Sequence, residues 1–138
     1  MSCPTSFLYA RAYAHATEDV EKVVRAVRSV VEARFTATTA RGHHGNVIII
    51  IEARLEDCEA LEALKSIISR LDDVEFTLML SGIEEGRLYV KFDKQQAFLG
   101  VLRVAHGDDV VYLEVRTRSL VVRDVREFLI SLREALKT

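Results

Sequence analysis

The stretch FLYARAYAH, Phe7 to His15, decides the fold class. Its residues alternate: Phe7, Tyr9, Arg11, Tyr13 and His15 point one way, and Leu8, Ala10, Ala12 and Ala14 the other, the period of a β-strand. Downstream the period changes. Thr17 offers a cap, Glu18 and Asp19 suit a helix start, and Val20, Val23, Val24, Val27 and Val31 recur at helical spacing. Threonine-rich residues 34–39 read as a short strand, and residues 47–53 (VIIIIEA) as one buried on both faces.

Asp57 is placed to cap a second helix with a stripe of Leu61, Leu64, Ile67, Ile68 and Leu71. Residues 75–83 suggest a further short helix ending near Gly82. Residues 87–92 alternate again, with Leu88, Val90 and Phe92 against Tyr89 and Lys91. Residues 101–105 and 110–118 read as a hairpin around HGDD. Ser119 would cap a last helix burying Val122, Val125, Leu129, Leu132 and Leu136. Short connections between the later strands require antiparallel pairing, so the expectation is an α+β fold with helices packed on one face of an antiparallel sheet.

Composition fits one domain over residues 1–138: 49% apolar and 29% charged, with no apolar run of the roughly 18 residues that cross a bilayer. The start, MSCPTSF, lacks the pattern of a signal peptide, and the expected location is the cytoplasm, away from any membrane. The spacing of Cys3 and Cys58 matches neither a disulfide framework nor a CxxC motif. Net charge is −2, against a general nucleic-acid binder, but it is unevenly spread. Residues 1–54 carry seven Lys/Arg and five Asp/Glu, residues 55–86 two and nine, and residues 87–138 ten and seven. Without the acidic middle the chain is basic.

The chain holds one Asn, Asn46, and two Gln, Gln95 and Gln96, beside fourteen Arg and five Lys. Scarce amides fit a protein from a hot environment. The three fall in two stretches, RGHHGN (residues 41–46) and FDKQQAFLG (residues 92–100). In the first, Arg41, His43, His44 and Asn46, set by Gly42 and Gly45, suit contacts to a phosphate backbone. A capping role in a flexible loop is the bland reading, and a metal-assisted hydrolase using His43, His44, Asp108 and Asp109 is a third. In the second, Asp93 caps a short helix, Lys94, Gln95 and Gln96 lie in its first turn where a phosphate could dock, and Gly100 stops it after Phe98 and Leu99 are buried. Alternation also groups Phe7, Tyr9, Arg11 and Tyr13 with Tyr89, Lys91, Tyr112, Arg116 and Arg118 on one face, rings beside cations that suit single-stranded RNA. Such a face also serves as a homodimer interface.

RGHHGN before an aliphatic strand resembles the HHGNP segment, and FDKQQAFLG the FDKQxAYLG segment, of the archaeal predicted RNA-binding proteins regarded as exosome subunits. AHATED and HGDDVVYLEV also look like that family, so the resemblance covers residues 7–118. Val47 stands where the family has proline, and Phe98 where it has tyrosine. The resemblance implies an α+β domain similar to the ribosomal protein that binds five-S RNA, RNA binding, and an accessory place beside the exosome. It carries over His43, His44, Gly45, Asn46, Asp93, Lys94, Gln95 and Gly100, with no catalytic role, cofactor or metal. The expected function is a non-catalytic RNA-binding protein whose loop 41–46 and turn 93–96 share one polar site; the alternative is a dimerising interaction subunit.

Overall fold

The computed structural model describes residues 2–42 and 45–137. The elements run β1 (Thr5–His15), α1 (Val20–Val30), β2 (Phe35–Arg41), β3 (Val47–Glu56), α2 (Asp57–Ser69), α3 (Asp73–Leu80), β4 (Ile83–Glu84), β5 (Arg87–Asp93), α4 (Lys94–Phe98), β6 (Val110–Thr117) and α5 (Val125–Leu136). The strands form one sheet in the order β2-β3-β1-β6-β5-β4, with every neighbouring pair antiparallel. This is the α+β architecture expected from the alternation of Phe7 to His15.

β1 sits centrally and its two faces are unlike. Leu8, Ala10, Ala12 and Ala14 are buried, and with Ile51, Leu88, Val90, Phe92, Leu113 and Val115 they meet helix residues such as Val27, Leu64 and Ile68 in one apolar cluster. Three alanines in a row let the helix layer approach the strand closely. Truncating a fully buried residue such as Leu64 to Ala costs about 2–5 kcal/mol. From Phe7 onwards the odd-numbered residues of β1 face away from the helices, whereas Thr5, before a register irregularity, is buried.

Several boundaries differ from the sequence expectation, each for a tertiary reason. Asp19, not Thr17, caps α1, its carboxylate accepting from Glu21 N at 3.0 Å. Asp57 does not cap α2: at φ +51° it turns its carboxylate back to accept from Cys3 N at 2.7 Å. That contact belongs to a larger tie. The register that sets Phe7 opposite Glu56 brings the chain start against the start of α2, and Cys3 and Cys58 form a disulfide despite 55 residues between them. The spacing of Cys3 and Cys58, which matched no disulfide framework, gave no sign of this bond, because spacing along the chain says little where a sheet register folds distant residues together.

Residues 101–105 are not a hairpin strand beside β6, whose two edges are taken by β1 and β5. They cover the outer edge of β5 instead, with Ala105 N donating to Lys91 O and Asp93 N to Arg103 O, both at 2.8 Å. The last helix starts after Asp124, which accepts from Glu127 N, because residues 119–122 turn back on Arg118 O. The isoleucine run of β3 is not sealed on both sides. Ile51 is buried under the helices, whereas Ile48 and Ile50 lie half-buried on the opposite face beside His15 and Tyr13. Leu99 is 68% exposed rather than buried. Gly82 ends α3 where a Cβ would lie 1.8 Å from Tyr89 O, so no other residue fits there.

Candidate nucleic-acid interface

The face of the sheet turned from the helices collects most of the residues grouped by alternation. Register places them in rows across the strands: Glu52, Arg11, Tyr112 and Lys91 in one, Arg54, Tyr9, Glu114 and Tyr89 in the next, and Glu56, Phe7, Arg116 and Arg87 in a third. Tyr13 and Ile50 follow beyond Arg11. Paired residues in an antiparallel ladder share a face, which is why parity along each strand foretells this grouping.

Arg11 is the hub. Its guanidinium carbon lies 4.7 Å from the Tyr112 ring centroid, 5.3 Å from Tyr13 and 6.0 Å from Tyr9. Arg54 lies 4.3 Å from the Phe7 centroid, and Arg116 6.0 Å from the same ring. Cations over ring faces stabilise each other while leaving ring edges and charges available. Tyr112 packs 6.4 Å from both Tyr9 and Tyr89. The Tyr9 hydroxyl donates to Glu52 and that of Tyr112 to Glu114. Burial and the neighbouring carboxylate push both phenols up to about 12, so both remain neutral donors at physiological pH.

Arg118 departs from the group. It lies just beyond β6, donating to Cys3 O and to the Asp57 carboxylate at the chain-start tie. The backbone bond from Cys3 is the main reason Asp57 stays below the usual carboxylate range, with Arg118 adding to it.

The two amide-bearing stretches lie at one end of the sheet, where β2, β1 and β5 end and β3 and β6 begin. Lys94 is buried: its ammonium reaches Glu18 Oε2 at 2.8 Å, Tyr13 O at 2.9 Å and Asp109 Oδ1 at 3.0 Å. The turn is occupied from within. Asp93 accepts from Gln96 N, Lys94 N donates to Asp109 O, and Gln95 Nε2 reaches Asp109 Oδ2 at 3.3 Å. Burial raises the Asp109 carboxyl, but the hydrogen bonds from Lys94 and Gln95 outweigh it and hold it below its ordinary value. Lys94 therefore fastens β1, α4 and the 106–109 turn together from a buried position, and Gln95, itself exposed, adds a surface bond to the same turn. Gln96 is exposed, and Gly100 takes φ +84°, the left-handed stop expected of it.

In the first stretch, Arg41 and Asn46 are exposed, Gly42 N donates to Asn46 O at 2.8 Å, and Gly45 takes φ +76°. His43 and His44 lie outside the described residues. Among the described residues one cluster has the donor spacing of a metal site, Cys3, Asp57 and Cys58, but its sulfurs are joined to each other and supply no thiolate.

Three arginines that gather around Arg116 were not singled out from the sequence. Arg87 stands directly opposite Arg116, and with Arg123 and Arg126 these line a concavity of about 580 Å³ at the β5 start. Arg87 has the parity of Tyr89 and Lys91, so its face was legible; the approach of Arg123 and Arg126 from beyond β6 was not.

A family model described as RNA binding matches residues 8–117. The RNA-binding protein PAB1135 of Pyrococcus abyssi (strain GE5 / Orsay) is 30% identical over 141 residues, covering 86% of this chain and 90% of that protein. Mth689, a DUF54 protein from Methanothermobacter thermautotrophicus, matches in structure with a TM-score of 0.74 at 25% identity, covering 96% of this chain and 97% of that one. SSO0741 from Sulfolobus solfataricus matches with a TM-score of 0.77 at 27% identity, covering 94% and 98%. The chain therefore belongs to the family that the RNA-binding model describes.

Proposed function

We propose that this protein binds single-stranded RNA across the open face of its sheet and catalyses no reaction on it. The observation that carries the reading is the line of rings and guanidinium groups along β1 and β6, with Arg11 set among Tyr9, Tyr13 and Tyr112. Bases stack on such rings and on guanidinium planes while phosphates meet the charges. The arginine-lined end supports it. Like charges directly opposite in a ladder destabilise a sheet, and Arg87, which has Glu114 at 3.7 Å, faces Arg116. Among the described residues no carboxylate lies within 4.0 Å of Arg116, Arg123 or Arg126. A phosphate between these groups would relieve their repulsion. At the other end, Lys91 is exposed and Arg41 and Asn46 stand beside the β3 start, so the strand would run along β1 from the arginines towards loop 41–46.

Binding of labelled single-stranded RNA at several salt concentrations tests this. Log affinity should fall with log salt at about 0.7 per neutralised phosphate, and Arg87→Ala/Arg116→Ala should lower the slope by about 1.4. Undetectable binding at low salt, or a slope the double variant leaves unchanged, would overturn the reading. An accessory place beside the archaeal exosome is the finer proposal and rests on the motif resemblance; retention of the protein on immobilised exosome is its test. If the open face instead joins two copies, sedimentation will give a dimer that RNA does not dissociate.

A further inference from the structure

Within the open face lies a concavity of about 330 Å³, inside the range of about 300–1,000 Å³ typical of small-molecule sites. Arg11, Tyr13, His15, Lys91, Asp108 and Tyr112 line it. Two of its polar groups lack a partner within the fold, one buried and one exposed. Arg11 Nε is withdrawn from solvent and has no hydrogen-bond partner, a state native proteins rarely leave unexplained. The Asp108 carboxylate forms no hydrogen bond or ion pair among the described residues, although its neighbour Asp109 is fully engaged by Lys94 and Gln95. Lys91 is exposed, its ammonium held only at 3.5 Å from Gly107 O. The lining thus joins two tyrosine rings and the Lys91 ammonium with one carboxylate, that of Asp108.

We infer that this pocket receives one guanine base of a bound RNA strand, its Watson–Crick edge turned to the Asp108 carboxylate. The inference rests on the RNA-binding reading above and adds the base the site selects. In a single strand the Watson–Crick edge is open to protein groups. An ionised carboxylate only accepts, and its two oxygens lie side by side. Guanine alone among the neutral RNA bases presents two adjacent donors on that edge, N1–H and the N2 amine. Adenine and cytosine each set one amine beside a ring-nitrogen acceptor, which would face a carboxylate lone pair. Uracil sets its N3–H between two carbonyls. The guanine O6, an acceptor, then meets the cationic side, where the exposed Lys91 ammonium has donors to give. The base plane stacks on Tyr13 or Tyr112, a contact indifferent to base identity, so discrimination falls to Asp108.

The test uses the full chain and labelled nonamers: all-uridine, and the same strand with one central guanosine, inosine or adenosine. A bidentate pair discriminates by about 1–3 kcal/mol, so the guanosine strand should bind about 5- to 150-fold more tightly than all-uridine. Inosine lacks the N2 amine and should lose most of that gain, and adenosine should show none. Asp108→Asn, an exposed and isosteric change, should abolish the guanosine preference while all-uridine is still bound. Equal binding of the guanosine and uridine strands, or a preference that survives Asp108→Asn, overturns the pocket assignment and leaves RNA binding standing. Failure to bind any nonamer at low salt overturns both.

Discussion

Lys94→Met separates a structural lysine from an RNA-contacting one. The side chain is 4% exposed and its ammonium meets two carboxylates and a carbonyl within 3.0 Å. Removing one partner of a buried charge cluster costs about 3–5 kcal/mol, because the remaining charges are left without compensation. Here the remainder is only partly buried: the Glu18 side chain is 24% exposed and that of Asp109 58%, so both carboxylates regain water once the ammonium is gone. Methionine also fills most of the vacated apolar stem. The expected loss is therefore below that range, about 2 kcal/mol, read as a fall in the urea midpoint at unchanged m-value. RNA affinity, measured where the variant is fully folded, should stay within about twofold, whereas Lys91→Ala, at an exposed position, should weaken RNA binding with little effect on stability. A Lys94→Met protein as stable as the wild type but several-fold weaker for RNA would refute the assignment of Lys94 to the scaffold.

Two further expectations follow from the same geometry. Reducing the Cys3–Cys58 bond opens a cross-link spanning 55 residues, worth about 4 kcal/mol by loop entropy, so the urea midpoint should drop with reductant; native protein whose cysteines both alkylate without reductant would contradict it. Tyr9 and Tyr112 hold their protons up to about 12 in the fold against 10.0 in the open chain. Between those values the native state keeps protons that the unfolded state has lost, so stability is complete below pH 10 and declines as pH rises towards 12. Spectrophotometric titration should show two phenolates appearing only near pH 12, and a titration complete by pH 11 would count against the carboxylate contacts.

The alternation in FLYARAYAH and RLYVKFD was sufficient to place Tyr9, Arg11, Tyr13, Tyr89 and Lys91 on one face, because parity survives any choice of strand neighbours. What parity cannot supply is register. The opposition of Arg87 and Arg116, the disulfide and the coverage of the β5 edge by residues 103–105 all depend on which strands pair and where. Lys94 shows the same limit in a motif. FDKQQ reads locally as a capped turn with a free cation, and the cap is real, but Glu18 lies 76 residues away and reaches the ammonium through the end of β1. Clustering of the three amides pointed to something specific, which for Gln95 is the bond to Asp109 that helps hold the turn beside the pocket. The half-open isoleucines of β3 misled for a different reason: apolar residues on both faces need cover only where nothing else shields them, and Tyr13 partners Ile50 on the open side.

The most direct measurement is ultraviolet cross-linking of bound single-stranded RNA followed by mass spectrometry of the cross-linked peptides. The account predicts adducts on β1, β5 and β6, at Phe7, Tyr9, Tyr13, Tyr89 or Tyr112. Adducts confined to α2, α3 or α5 would place the RNA on the opposite side of the molecule and contradict the open sheet face as its binding surface.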